Sequence, residues 1–346
     1  MKILRNNKKL FLGIIIGLII SSVTVYAASG ILFQSSQVSF DNTRAGLKNS
    51  HGEDVTTVEE AIETLVNGSC SSSPFKLGDY IDMTPTSTSY TPDRILLGLA
   101  EYDTNQGHPS GTTVSDSLNP SQLDVWRVIK INPDCTVEVV SEYASAASMK
   151  FAAKSGYQNY VYVLNEAAKQ YANTTYTLDP STAPDGAFRS IGYSNQTQQI
   201  TDTTRLDDLT LGQTNGAWFY KGSGEEELGG DDTGFGKDLQ LLNDADVSIR
   251  AHSKGSSVNI SSYAKYWLAS REYYWSTSTT NYWSFCLWYV HYEDYVTSEN
   301  IIYAEGSIFT YSMRDASLRP IITLKPGLSI ASGQGTSASH YTLSAS

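Results

Sequence analysis

Apolar positions along this chain come in short, strand-length runs separated by long polar stretches, with a few helical stripes between them. Asp124 to Ile131 and Thr136 to Glu142 are β-rich runs joined by Asn132-Pro133-Asp134-Cys135, the clearest hairpin signal in the chain. Gly156 to Ala172 sets Tyr160, Val163, Leu164, Ala167, Ala168 and Tyr171 on one stripe, which predicts a helix. A first strand is expected at Phe75 to Ile81, a short strand at Ser190 to Tyr193 and a short helix at Asp238 to Asp244. Thr84 to Gln122, with one apolar island at Ile95 to Leu99, reads as mostly loop, and the Gly-rich, acidic run from Gln196 to Gly236 as another long loop region. Near the end, Leu328-Ser329-Ile330 and Tyr341-Thr342-Leu343 predict a terminal hairpin after the Lys325-Pro326-Gly327 turn.

The window from Tyr266 to Leu324 has a different texture. It opens with Tyr266-Trp267-Leu268-Ala269-Ser270-Arg271 and closes with Leu318-Arg319-Pro320-Ile321-Ile322-Thr323-Leu324, both strand-like. Between them Tyr273, Tyr274, Trp275, Tyr282, Trp288, His291, Tyr292, Glu293, Tyr295, Tyr303 and Tyr311 are interleaved with small polar residues. Two readings compete. Aromatic-rich strands are ordinary core. Yet Tyr and Trp set among adaptable polar residues also make recognition surfaces, because they offer large, stiff contact area. Alternation from Tyr282 to Tyr292 leaves neither face cleanly apolar, and from Tyr292 to Arg314 it dissolves. Aromatics in that pattern are expected to reach the surface.

The N-terminus adds a compartment. Lys2, Arg5, Lys8 and Lys9 precede the uncharged, Ile- and Leu-rich run from Leu10 to Ala28, and Val25-Tyr26-Ala27 supplies small residues for a signal peptidase. Residues 1–28 therefore read as a signal peptide or an uncleaved membrane anchor, with the rest of the chain extracytoplasmic, either at the cell surface or secreted. Residues 29–73 read as a stalk. Thr57-Val58-Glu59-Glu60 is a capping box for a helix that buries Val58, Ala61, Ile62, Leu65 and Val66 and stops at Asn67-Gly68. A helix this short needs a partner, either residues 74–346 or other copies of itself.

Composition narrows the chemistry. The 346 residues carry a net charge of −12, and no basic patch follows the N-terminus, so nucleic acid is not an expected partner. Cys70, Cys135 and Cys286 lack zinc or redox spacing and read as small buried hydrophobes, with a Cys135–Cys286 bridge the less favoured alternative. His51, His108, His252, His291 and His340 are scattered. Gly234 to Asp238 fails as a phosphate loop, and Glu225, Glu226, Glu227, Asp231 and Asp232 read as a solvated acidic loop rather than a calcium site. No nucleophile elbow occurs. Neither a catalytic set, a metal set nor a cofactor motif is expected, and the chain does not read as an enzyme.

Trp126-Arg127-Val128-Ile129, the helix that follows and the two motifs bounding the aromatic window resemble exported bacterial proteins with a C-type-lectin-like fold. The branch is the one shared by formylglycine-generating enzymes and the variable proteins of diversity-generating retroelements. The resemblance implies an α+β, C-type-lectin-like domain over residues 74–346 with long loops. It also implies a ligand-binding face ahead of the closing Arg-Pro strand, scaffolded by Trp267, Arg271, Phe285, Arg319 and Pro320. The sugar-lectin motifs Glu-Pro-Asn, Gln-Pro-Asp and Trp-Asn-Asp are absent, as is a C-terminal cysteine pair for formylglycine formation. The window holds no Lys, in keeping with diversified Asn-type codons, although Trp283, Trp288, Glu293 and Glu299 need other codons. The expectation is a cell-surface receptor or adhesin whose aromatic, hypervariable face takes a protein or glycan ligand on another cell, a host or a phage. The alternative is a structural stalk subunit that homo-oligomerises through residues 29–73 and uses the aromatic face for assembly.

Overall fold

The β2–β3 hairpin forms where the apolar runs place it, with β2 at Val125–Ile131 and β3 at Val137–Ser141. They pair antiparallel with Val128 opposite Val139 and Ile131 opposite Val137. The turn is held by Asn132, whose carbonyl accepts from Cys135 N–H at 2.9 Å, and by Asp134, whose Oδ1 accepts from Thr136 N–H and Oγ1–H at 3.0 and 2.7 Å. In the computed structural model, the described residues are 70, 73–192, 196, 198–199, 236–255, 263–276, 282–293, 295–305 and 308–345. For 236, 272–276, 282–283, 304–305 and 308–309 the description covers the backbone only. The expected signal or anchor at residues 1–28 and the stalk helix at 57–66 lie outside them, as does most of the loop expected from Gln196 to Gly236. The chain divides into two compact units, Met1–Ser69 and Cys70–Ser346, and only the second is described.

The second unit is α+β and dominated by sheet. A seven-stranded sheet has the order β12-β13-β1-β2-β3-β11-β5, and a six-stranded sheet the order β4-β10-β6-β7-β8-β9. The first is completed by β1 (Tyr80–Asp82), β5 (Phe188–Ser190), β11 (Pro320–Leu324) and the terminal hairpin β12 (Ser329–Ser332) and β13 (Tyr341–Ser344). The second comprises β4 (Ser148–Ala152), β6 (Tyr266–Ser276), β7 (Tyr282–Val290), β8 (Val296–Glu305), β9 (Ile308–Tyr311) and β10 (Met313–Ser317). Among the described residues, the helices are α1 (Leu99–Asn105), α2 (Ala153–Lys169) and α3 (Gly236–Asp244), besides one 3-10 turn at Pro120–Gln122.

Helix α2 is the hub of the larger core. Its stripe residues Tyr160, Val163, Leu164, Ala167 and Ala168 are buried, and so are Gln158, Asn159 and Asn165 on its other sides. Tyr160 meets Phe151 and Trp267 edge-on at 4.8 and 5.5 Å between ring centroids, and Tyr157 packs on Phe285 at 4.6 Å. A second, smaller core gathers Ile129, Val140, Leu242, Tyr266, Leu268, Val290 and Ile321. Alternate residues of β3, β6 and β11 enter different cores: Val139, Trp267 and Ile322 the first, Val140, Leu268 and Ile321 the second. These strands are therefore apolar on both faces.

The structure refines two expectations and overturns one. Thr84 to Gln122 is mostly loop, as expected, and α1 follows the Ile95–Leu99 island. Leu99 and Asp103 are its buried positions, and the Asp103 carboxylate is held by Arg94 at 2.6 Å and by Thr113 N–H. A helix whose inward face includes an aspartate carries no apolar stripe for the eye to find. Its approach to α2 uses glycine: a Cβ on Gly98, at φ +72, would sit 1.8 Å from the Ala152 carbonyl oxygen, and one on Gly156 2.5 Å from that of Leu97. Next, residues 296–317 hold three strands although their alternation fails, because polar side chains there find buried polar partners. Lastly, Cys70 and Cys135 form a disulfide, and Cys286 is a buried thiol that donates to Asn300 Oδ1 at 2.8 Å.

The disulfide closes a loop with a sequence separation of 65. Chain-entropy arguments put its contribution at roughly 4 kcal/mol for a loop of this size, with measured values most often about 2–4 kcal/mol. Replacing both Cys70 and Cys135 by Ser should lower the urea midpoint accordingly and make it insensitive to reductant. A midpoint that reductant leaves unchanged in the parent chain would show that the bridge contributes nothing.

Candidate functional site

Of the residues expected to scaffold the face, Trp267, Phe285, Arg319 and Pro320 are buried and Arg271 is half-buried. Trp267 and Phe285 are fully buried, Pro320 is buried in β11, and Trp267 donates its indole N–H to the Met149 carbonyl at 2.8 Å. Arg271, half-buried, donates through Nη1 to the carbonyls of Tyr157 and Gln158 at 2.9 and 2.7 Å, tying β6 to the first turns of α2. Arg319 is 1% exposed and reaches across to a different part of the chain. Its Nε donates to Ser141 O at 3.0 Å and its Nη1 to Ser248 O and Ile249 O at 2.8 and 3.2 Å.

The expected contact residues do not form one face. Strand β7 separates them into two groups at its opposite ends. Tyr273, Tyr274 and Trp275 on β6 pair with Phe285, Ser284 and Trp283, and Tyr282 begins β7. Tyr303 lies opposite Ser284, and Tyr311 opposite Ile302, so both belong to that end. His291, Tyr292, Glu293 and Tyr295 form the turn between β7 and β8 at the other end. From Tyr282 to His291 an extended strand covers about 30 Å. Trp288 stays near the turn but is half-buried against the second core, and its carbonyl accepts from Tyr160 Oη at 2.9 Å. It anchors β7.

The turn is built around His291. Its N–H donates to Tyr295 O at 2.8 Å, closing the loop. Its ring lies between Tyr292 at 3.8 Å and Tyr295 at 4.5 Å, the latter stacked at 23°. Glu293 N–H donates to His291 Nδ1 at 3.2 Å. Tyr292 and Tyr295 are 51% and 46% exposed, the most exposed aromatic rings among the described residues. Three rings held against one another on a closed turn give an apolar contact surface that loses little side-chain freedom on binding.

Beneath the turn lies a charged brace. Glu299 on β8 accepts from Tyr289 Oη–H at 3.0 Å and from Lys265 Nζ at 2.7 Å, with Arg314 Nε at 3.6 Å. Lys265 also sits over the Tyr289 ring at 4.1 Å. Burial pushes the Glu299 carboxyl up, but Lys265, Tyr289 and Arg314 outweigh it and hold it below the usual carboxylate range. Burial first, then Glu299, drive the Tyr289 phenol well above its ordinary value. At neutral pH the pair is a neutral phenol donating to a carboxylate, which positions the strands and leaves no group poised for proton transfer.

The other feature of note was not foreseen. A cleft of about 1030 Å³ opens beside β3, β5 and α3, lined in part by Lys130, Pro133, Leu178, Pro184, Arg189 and Asp238. Its floor is a charge cluster. Arg189 Nη2 meets Glu138 Oε2 at 2.8 Å and Asp238 Oδ1 at 2.7 Å, Nε meets Asp238 Oδ2 at 3.1 Å, and Lys130 Nζ meets Glu138 Oε1 at 3.1 Å. Asp238 Oδ2 also accepts from Gly192 N–H at 2.9 Å. Burial pushes the Glu138 carboxyl up, but Arg189 and Lys130 outweigh it and hold it below the usual range. Burial alone would lower the Arg189 pKa, but Asp238 and Glu138 lift it above its ordinary value. The signal that could have found this cluster is Glu138 itself, a charge inside an otherwise apolar strand with Lys130 across from it.

Among the described residues no group of three or more His, Cys, Asp and Glu side chains could hold a metal, and no helix is long and apolar enough to cross a membrane. Comparison of the chain with protein-family models, with curated proteins and with solved structures returns no match.

Proposed function

We propose that this is a surface-displayed ligand-binding protein whose contact site is the aromatic turn between β7 and β8. The observation that carries the reading is the pair of exposed tyrosines, Tyr292 and Tyr295, locked on either side of His291 and braced from below by Glu299 and Lys265. Rigid, solvent-facing aromatic rings on a strand turn are what binding surfaces use as anchors. The Cys70–Cys135 disulfide supports export, since such bonds persist in oxidising compartments, and the N-terminal basic and apolar run supplies the route. The C-type-lectin-like reading rests on the resemblance of the window's two bounding motifs. What supports it is that both motifs are buried scaffold, with the exposed aromatics between them. The ligand is a macromolecule, a protein or a glycan on another surface.

Replacing Tyr292 and Tyr295 by Ala together should weaken capture of cognate cells or particles by tenfold or more in a surface-display assay. Folding stability should change by no more than about 0.5 kcal/mol per site, because neither ring is part of the core. If that variant captures normally while Tyr303→Ala with Tyr311→Ala does not, the contact site is at the other end of β7 and the proposal fails as stated.

A further inference from the structure

The turn between β7 and β8 holds a hydrogen bond that only one charge state of its histidine allows. Glu293 N–H donates to His291 Nδ1 at 3.2 Å. A backbone N–H can only donate, so Nδ1 must offer its lone pair. An imidazole does that when it is neutral with its proton on Nε2. In the imidazolium both ring nitrogens are donors, so a proton on Nδ1 faces the Glu293 N–H and the bond is lost. A new partner stands close by. Glu293 Oε2 is 3.8 Å from the same Nδ1, and the Glu293 side chain is 63% exposed, so the carboxylate can swing in without disturbing the core. Protonation therefore exchanges a backbone donor for a carboxylate acceptor of the same residue, and the two cannot hold Nδ1 together.

We propose that the aromatic turn is a pH-sensitive device, in which neutral His291 fixes the contact face described above and protonated His291 re-aims it. The proposal rests on the reading of this turn as the contact site. Tyr292 lies between the two partners in the chain, so its ring direction follows the peptide that the exchange rotates. The groups facing the imidazole allow the exchange. Its ring is flanked by Tyr292 at 3.8 Å and Tyr295 at 4.5 Å, with Tyr289 of β7 at 6.2 Å. Aromatic faces also accept a cation, so the ring can stay in the stack while its hydrogen bond changes. The Tyr289 hydroxyl is committed to Glu299, which also takes Lys265 and Arg314. Among the described residues, the Glu293 carboxylate is the charged group within ion-pair reach of the ring. Asp294, next in sequence, lies outside the described residues. The base of the turn is indifferent to the proton. His291 N–H still donates to Tyr295 O, and Val290 still pairs with Val296. The change is thus confined to 291–293, and the face meets a partner in one arrangement near neutral pH and in another in mild acid.

The test is heteronuclear NMR of the isotope-labelled full chain, following imidazole nitrogens and backbone amides from about pH 8 to about pH 5.5, the range in which imidazoles change charge. The probe is the proton itself. At the high-pH end the His291 ring, identified by its absence from His291→Asn, should show a bare Nδ1 and a protonated Nε2. As the ring takes up its second proton, the Glu293 amide proton should move upfield and the Tyr292 and Tyr295 ring signals should shift, all with the ring's midpoint. His291→Asn supplies a side-chain oxygen that accepts from the N–H two residues on and carries no titrating proton, so its Glu293 amide should stay near the high-pH position throughout. His291→Phe keeps a ring and removes the acceptor, so its Glu293 amide should stay near the low-pH position throughout. The proposal is overturned if Nδ1 carries the proton at the high-pH end, if the Glu293 amide does not follow the ring, or if it moves equally in His291→Asn. This titration is read without any capture. Normal capture by the Tyr292→Ala, Tyr295→Ala variant would relocate the contact site and leave the titration of the turn as found.

Discussion

Arg319→Ala should lower unfolding stability by roughly 4 kcal/mol, read as a shift of the urea midpoint with little change of slope. The side chain is 1% exposed and hydrogen-bonds three carbonyls, those of Ser141, Ser248 and Ile249, besides lying 5.6 Å from the Tyr266 ring centre. Truncation takes the guanidinium from those three carbonyls, of which Ile249 O keeps the Tyr266 hydroxyl as donor and that of Ser248 belongs to an exposed residue; an acceptor left without a partner costs about 1–3 kcal/mol where water cannot reach it, and a cavity opens as well. Partial entry of water sets the total below the sum. Arg319→Lys should recover less than half of the loss, because a single ammonium cannot span carbonyls on two separate segments as the guanidinium fork does. A loss below about 1 kcal/mol for the alanine variant would mean that the guanidinium is not what joins the 248–249 segment to β11.

The second large effect is expected at Arg189. Arg189→Met removes the cation shared by Glu138 and Asp238, leaving two carboxylates in the cleft, with Lys130 still on Glu138. Breaking a buried pair in this way costs about 3–5 kcal/mol, whereas replacing the whole set by neutral groups is far milder. Adding Glu138→Gln and Asp238→Asn to Arg189→Met should therefore recover more than half of the loss. The pH dependence gives a separate reading. In the parent chain the folded Glu138 pKa lies below its unfolded value of about 4.3, so its contribution is present above that value and lost as pH falls through the lowered folded pKa. In Arg189→Met the Glu138 carboxylate lacks that partner, burial raises its folded pKa, and the sign reverses, so that this variant gains stability as pH falls from neutral toward the unfolded value. Parallel pH profiles for the two proteins would refute the assignment.

Much of the frame was legible in the chain. The β2–β3 hairpin, α2 and the terminal hairpin all appear, because each is built from a run whose period matches its burial. The expected helix from 156 to 172 forms at 153–169, and the short helix expected from 238 begins at 236. The six-stranded sheet was harder to read for two reasons. Strands β6 and β7 are buried on both sides over much of their length, so alternation carries no information about which face is core. Strand β8 is pinned by polar side chains, Glu299 to Lys265 and Tyr289, and Asn300 to Cys286, which look like surface residues in a sequence. The disulfide was illegible because pairing depends on which turn the Cys70 segment meets, and that is a tertiary fact. The aromatic residues of the window stand out in the sequence, but their division between the two ends of β7 needed the strand registers.

The position of the disulfide has a mechanical consequence. Tension on the polypeptide ahead of Cys70 does not run into β1, because the cross-link diverts it to Cys135 in the turn between β2 and β3. Strands β1 and β2 lie within the covalent ring and cannot be drawn out one after the other. The load enters instead at the head of β3, an interior strand flanked by β2 and β11. There the Val137 to Ser141 backbone ladder must shear as a whole before the sheet yields, so a chain held ahead of Cys70 and pulled from within the second unit resists as a closed loop.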